Sequence, residues 1–186
     1  AEDVEYTLTM SGIQDISKAA NKLKRNTHNF DYVWTKPGLR YVYYAPWKKT
    51  HLPEPVQFKK FDPVKKGTVA TPGTNNVKEQ KDYFTCKFSG LITIPEKGNY
   101  TFFSTSDDGS KLYIDCELVV DNGGGHGDRT RSGDVNLHAG KHAITVTYFD
   151  SKASDALKLS WRGPGFGRKK IPADVFSHVP WPKEER

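Results

Sequence analysis

Two adjacent carboxylates, Asp107 and Asp108, stand in the run Thr105-Ser106-Asp107-Asp108-Gly109-Ser110-Lys111-Leu112-Tyr113-Ile114-Asp115. Neighbouring acids repel each other unless water, a hydrogen-bond donor or a cation offsets the charge. Two chemistries fit. In one, Asp108-Gly109 is a hairpin turn in which glycine supplies the positive φ. In the other, both carboxylates serve one hard cation, for which calcium is apt because it takes about six to eight oxygen ligands in irregular geometry. Successive side chains of a strand point to opposite faces, so the second reading needs an unusual backbone. A cis Asp107–Asp108 peptide would supply it.

A second polar segment, Tyr148-Phe149-Asp150-Ser151-Lys152-Ala153-Ser154-Asp155, interrupts a strand pattern at Asp150. Asp150 with loop carbonyls could complete an oxygen cage, or it could simply turn on its own backbone. The glycine loop Asn122-Gly123-Gly124-Gly125-His126-Gly127-Asp128 permits close backbone approach, but no Gly-Lys-Ser/Thr and no helix follow, which excludes a P-loop. It reads as a wide loop folded over the end of a barrel, with Asp121, Asn122 and His126 making local hydrogen bonds. His138 and His142 have the spacing of a helical zinc pair, yet Ala139-Gly140 between them reads as a turn and the glutamate of that motif is missing. They are ordinary hairpin residues. No Ser-His-Asp order and no pair of carboxylates suited to glycoside hydrolysis stands out, so no enzyme is expected.

The elements that must position these groups read as β structure. The 186 residues suit one domain with a short extension. Four Trp, nine Tyr and ten Phe are suited to packing across a sheet, and 16 Gly and 11 Pro punctuate short runs. Phe84, Cys86 and Phe88 alternate, as do Ile144, Val146 and Tyr148, and Leu157, Leu159 and Trp161. Such strands, about ten residues apart with turn residues between them, predict an all-β antiparallel β-barrel or sandwich. One N-terminal helix is expected over 10–26, from the apolar stripe Ile13, Ile16, Ala20 and Leu23. The expected division is an extension with this helix over 1–36, a β module over 37–178 and a tail over 179–186. Residues 45–82 show no clear period, so short strands or a functional excursion are expected there.

The net charge of +6 comes from 28 basic and 22 acidic residues, but the basic residues are dispersed in short groups such as Lys48-Lys49 and Lys65-Lys66. No basic run is interleaved with aromatics, which argues for a solvated surface and against nucleic acid. Cys86 and Cys116 are too few for a disulfide framework and read as inert free thiols. No apolar stretch approaches the roughly 20 residues of a membrane span, and none reads as a signal peptide.

The run Ser106-Asp107-Asp108-Gly109-Ser110 through Asp115, with Leu118-Val119-Val120-Asp121-Asn122 and Gly125-His126-Gly127, resembles the PA-fourteen family, the lectin-like β-barrel module named after the protective antigen of a bacterial toxin. Pro37-Gly38-Leu39-Arg40-Tyr41, Phe88-Ser89-Gly90-Leu91-Ile92-Thr93-Ile94-Pro95 and Gly98-Asn99-Tyr100-Thr101-Phe102 extend the resemblance to roughly residues 37–175. Sugar-binding members hold calcium with two adjacent Asp joined by a cis peptide, matching Asp107 and Asp108, and the calcium in turn ligates sugar hydroxyls. Their further ligands, an Asn side chain and two carbonyls of a later loop, match Asp150, Lys152 and Ser154; the change to Asp keeps an oxygen ligand and adds charge. Many members adjoin glycoside hydrolases such as β-hexosaminidases and β-glucosidases. The resemblance therefore implies a carbohydrate-binding module, calcium-assisted, extracellular or periplasmic, whose partners are a glycan and an adjacent hydrolase domain. A structural accessory domain without its own ligand and a protein-interaction module are the alternatives.

Overall fold

A computed structural model describes residues 6–8, 28–30, 35–75, 77–152 and 154–181. The chain divides into two units, Ala1–Trp34 and Thr35–Arg186. In the first, β1 (Tyr6–Leu8) pairs antiparallel with β2 (His28–Phe30). The helix expected over 10–26 lies outside the described residues.

The second unit is all-β and antiparallel. Its strands are β3 (Lys36–Pro37), β4 (Leu39–Tyr44), β5 (Lys65–Val69), β6 (Phe84–Ile94), β7 (Gly98–Asp107), β8 (Ser110–Ile114), β9 (Glu117–Asn122), β10 (Arg129–Leu137), β11 (Gly140–Asp150), β12 (Ala156–Gly163), β13 (Phe166–Lys170) and β14 (Phe176–His178). They form two sheets. The smaller has the order β10-β7-β12-β13. The larger runs β3-β14-β6-β11-β8-β9, with β4 joining β6 and β5 joining β4.

The alternation seen in the sequence becomes the core. Phe84, Cys86 and Phe88 of β6, and Ile144, Val146 and Tyr148 of β11, face Tyr100 and Phe102 of β7 and Leu157, Leu159 and Trp161 of β12. Burying each large apolar side chain contributes about 1.5–3 kcal/mol. Cys86 is buried, which pushes its thiol pKa up, while Cys116 is exposed, and both are free. The segment without clear period contains β5 and a short 3-10 helix, Pro55–Lys60. Its Trp47, Leu52 and Phe58 pack on Val42, Tyr44 and Phe149, closing a second apolar cluster on the other face of the larger sheet.

Gly133 shows how tightly the sheets close on one side. A Cβ there would lie 1.7 Å from the carbonyl oxygen of Val119, so only glycine lets β10 pass β9. Gly133→Ala should cost about 2 kcal/mol or more in a denaturant titration.

The β8–β9 hairpin turns at Asp115 and Cys116, both with positive φ, of 49° and 70°. Asp115 clips the turn to β11: its carboxylate accepts the Ala143 amide at 2.9 Å and the His142 ring Nδ1 at 2.6 Å. His142 Nε2 faces the His138 carbonyl at 2.9 Å across the β10–β11 connection, which passes from one sheet to the other and so corrects the hairpin reading of these histidines. Both ring nitrogens meet acceptors, so the doubly protonated ring satisfies both. Burial works against that charge, but the hydrogen bonds to Asp115 and His138 and the Asp115 charge raise the His142 pKa above its ordinary 6.5. The folded state then holds a proton that the unfolded chain releases. This contribution to stability is complete below about pH 6 and is lost as pH rises through the raised value. Thermal melts between pH 6 and 8 should show the decline, and Asp115→Asn should flatten it.

Candidate functional site

β7 ends at Asp107 and β8 begins at Ser110, but the two strands belong to different sheets. β7 lies between β10 and β12, and β8 between β11 and β9. Asp107-Asp108-Gly109 is therefore a corner between sheets, which corrects the hairpin reading. The Asp107–Asp108 peptide is cis. Gly109 is not among the glycines with positive φ. It is needed for space instead: a Cβ would lie 2.5 Å from the Phe149 ring and 2.7 Å from the Gly124 carbonyl oxygen.

Asp108 is buried and fully answered. Its Oδ1 accepts the backbone amide of His126 at 2.9 Å, and its Oδ2 accepts the Ser151 amide at 2.8 Å and the Ser151 hydroxyl at 2.6 Å. One carboxylate thus ties the corner to the glycine loop and to the β11–β12 loop through charge-assisted hydrogen bonds. The Asp107 carbonyl accepts the Tyr148 hydroxyl, and the Gly109 carbonyl accepts the Phe149 amide at 3.0 Å.

The glycine loop is anchored at its base. Asn122 Nδ2 donates to Ser106 Oγ at 2.9 Å, and Ser110 links to Ser104 at 2.7 Å and to Ser106 at 2.8 Å, all buried between the sheets. Arg129 donates to Asn122 Oδ1 and to the Gly123 carbonyl, each at 2.8 Å. The local hydrogen bonds expected of Asp121, Asn122 and His126 are present: Asp121 Oδ1 accepts the Gly123 amide, and the His126 ring spans the Asn122 and Gly127 carbonyls.

Asp150, the last residue of β11, receives the opposite treatment. It is fully buried, and neither carboxylate oxygen finds a hydrogen-bond partner of normal geometry among the described residues. Burial first, then the charges of Asp108, Asp155 and Asp82, push its carboxyl up to about 7, with only a small opposing pull from the Tyr83 backbone. Asp107 is raised as well, by burial and by Asp108, with His126 partly offsetting them. Burial also opposes ionisation of Asp155, but its pairing with Lys78 at 2.5 Å and its contact with Thr74 hold its carboxyl below the ordinary value. One oxygen each of Asp82 and Asp155 is likewise buried without a partner.

Asp108 and Asp155 thus lie within electrostatic reach of both Asp107 and Asp150. Lys152 and Ser154 are exposed on the adjoining loop, and the Lys152 ammonium lies 6.0 Å from the Tyr83 ring centroid. Among the described residues, no three acidic, imidazole or thiolate side chains converge closely enough to cage a metal by themselves. Sequence reasoning missed Ser151, Asp82 and Asp155. Ser151 and Asp155 lie in the polar loop already singled out, whereas Asp82 is placed only by the pairing of Phe84 with Asp150.

Residues 35–174 match the PA14 domain family. The curated anti-sigma-I factor RsgI3 of Acetivibrio thermocellus is 26% identical over 116 residues, which are 61% of this chain and 18% of that protein. An anti-sigma factor domain-containing protein from Clostridium clariflavum shares the fold with a TM-score of 0.64 and 22% identity, over 80% of this chain and 49% of that one. The chain therefore spans less than half the length of either relative. A PA14 sugar-binding domain from an RTX adhesin superposes with a TM-score of 0.59 at 20% identity, over 76% of this chain and 98% of that one. The epithelial adhesin 6 A domain of Candida glabrata, solved with Galβ1-3GlcNAc, superposes with a TM-score of 0.58 at 15% identity, over 81% and 91%. With its family match covering three-quarters of its length, this chain belongs to the PA14 domain family.

Proposed function

We propose that this chain is a carbohydrate-binding module that takes a glycan at the Asp107–Asp108 corner with the help of calcium. The observation that carries the reading is Asp150, a buried carboxylate without a hydrogen-bond partner beside Asp108. A buried unpaired charge is costly, and a hard cation offsets it directly. Asp107, Asp108 and Asp150 would hold the ion, with backbone carbonyls of Lys152 and Ser154 completing an all-oxygen set. Bound there, calcium supplies open coordination positions for sugar hydroxyls. The chain's own work is to orient the carboxylates: Ser151 and the His126 amide fix Asp108 between Asp107 and Asp150.

The sugar-binding adhesin domains of the same fold support a glycan partner. The relatives named as anti-sigma factors lend no support to an adjoining glycoside hydrolase, and the glycan reading does not depend on which domain adjoins. In this reading the module binds and does not catalyse. A glycan partner assigns its work to the extracellular or periplasmic space.

Without calcium, the proton on Asp150 stabilises the fold at low pH, and that contribution is lost as pH rises from about 4 to about 7. Asp150→Asn should therefore raise the melting temperature of the metal-free protein more at pH 8 than at pH 5. Calcium at a hundredfold excess over Kd should raise the wild-type melting temperature by about 5 °C or more, and the variant should lose that shift. On a glycan array, retention should vanish with a chelator and return with calcium. A flat calorimetric titration with calcium would end the cation reading, and an empty array in both conditions would end the glycan reading.

A further inference from the structure

The outer face of the smaller sheet carries a chemistry unlike that of the corner. Because Tyr100, Phe102, Leu157, Leu159 and Trp161 point into the core, their neighbours on β7 and β12 point outward. Strand register arranges these in rows: Asp134–Thr101–Arg162, then Ser132–Phe103–Ser160–Lys170, then Thr130–Thr105–Lys158. Arg168 joins them from β13, its guanidinium 4.2 Å from the Phe103 ring centroid. Among the described residues, the face therefore holds the cations Lys158, Arg162, Arg168 and Lys170 against the carboxylates Asp134 and, at the end of β7, Asp107.

The two arginines are positioned without being used up. Arg162 Nε donates to Thr101 Oγ1 at 3.0 Å, and the Thr101 hydroxyl in turn donates to Asp134. Arg168 Nε donates to Ser160 Oγ at 2.9 Å. Their terminal N–H groups make no hydrogen bond among the described residues, and Lys158 and Lys170 have no ion pair there. Two grooves flank the Phe103–Ser160 row. One, of about 530 Å³, opens at the edge of β12 between Lys158, Arg168 and Lys170 and the segment Thr71–Asn75, and reaches inward to Leu157 and Leu159. The other, of about 500 Å³, holds Arg162, Thr101, Asn99 and Asn136. Same-face positions along a strand repeat at roughly 7 Å, so Lys158, Ser160 and Arg162 form an extended line.

We propose that this face is a second binding surface, for an acidic polysaccharide lying along β7 and β12. Its carboxylate or sulfate groups would meet the terminal N–H groups of Arg162 and Arg168 and the ammonium groups of Lys158 and Lys170. Its hydroxyls would meet the paired amides of Asn99 and Asn136, which lie 2.5 Å apart, and the Thr101 and Ser160 hydroxyls. Charge complementarity selects an anion. Single-stranded nucleic acid is disfavoured because Phe103, the one aromatic ring on the face, is covered by Arg168 and offers no stacking platform. Thr101 lies six residues before Asp107 on one strand, roughly 20 Å away. The Arg162 end of the surface thus lies well away from the Asp107–Asp108 corner, its Lys158 end comes within roughly 7 Å of Asp107, and its contacts need no calcium.

Affinity electrophoresis in a chelator tests this, with hyaluronate as the acidic probe and dextran as the neutral one. Two triple variants, each lowering the formal charge from +6 to +3, separate the face from overall charge: K158Q/R162Q/K170Q, and K48Q/K59Q/K60Q elsewhere on the surface. Hyaluronate should retard the wild type and the second variant alike, dextran neither, and the face variant should bind about tenfold more weakly or worse. Equal losses in the two variants would overturn the proposal, as would equal retardation by dextran. Displacement of hyaluronate by single-stranded DNA at lower charge concentration would do so as well. Because the chelator removes calcium, failure of the corner site leaves this result unaffected.

Discussion

The Asp108 carboxylate is the interaction on which the end of the sandwich depends. A buried charge must be compensated by hydrogen bonds, and Asp108 collects three, from two loops far apart in the chain. Each donor left unmet at such a site costs about 1–3 kcal/mol, so the corner, the glycine loop and the β11–β12 loop hold one another in place. Gly109 completes the arrangement by letting Phe149 and Gly124 close over the corner at a distance no side chain would permit. The glycine loop is accordingly a packed element, anchored beneath by Asn122 and Arg129.

Against this, Asp150 is the informative exception. Two carboxylates of the same type lie in one neighbourhood, yet one is saturated with donors and the other finds none of normal geometry among the described residues. Folding alone would favour an apolar residue or a donor opposite Asp150. Lys78 relieves Asp155 alone, and Asp82 adds further negative charge to the surroundings of Asp150. The electrostatic deficit at this end of the sandwich is thus a cost in stability that the packing around Asp150 does not relieve.

Much of the fold was legible in the sequence because alternation reports burial directly. Phe84, Cys86 and Phe88, and Leu157, Leu159 and Trp161, occupy the core as their period requires. Sheet membership was not legible. Asp108-Gly109 looks like a hairpin turn locally, and only long-range pairing reveals that β7 and β8 lie in different sheets. The irregular stretch before β6 hid its logic because Trp47, Leu52 and Phe58 reach one patch through a loop, which imposes no period. At the site, Asp107, Asp108 and Asp150 could be named from polar interruptions of strand patterns. Asp82 could not, since its place depends on where β6 meets β11.

Charge illustrates the same limit more sharply. Along the chain, Lys158 and Arg162 look like ordinary dispersed surface residues, apart from the short run Arg168-Lys169-Lys170. Strand alternation turns each of them to one side, and the pairing of β12 with β13 sets them in neighbouring rows. A β-sheet can thus concentrate charge that the linear sequence spreads out. The two surfaces also differ in how freely they can change. The corner residues carry the packing of three connections, so their chemistry is bound to the fold. The outward residues of the smaller sheet bond chiefly to one another, Thr101 to Asp134 and Arg162, and Ser160 to Arg168.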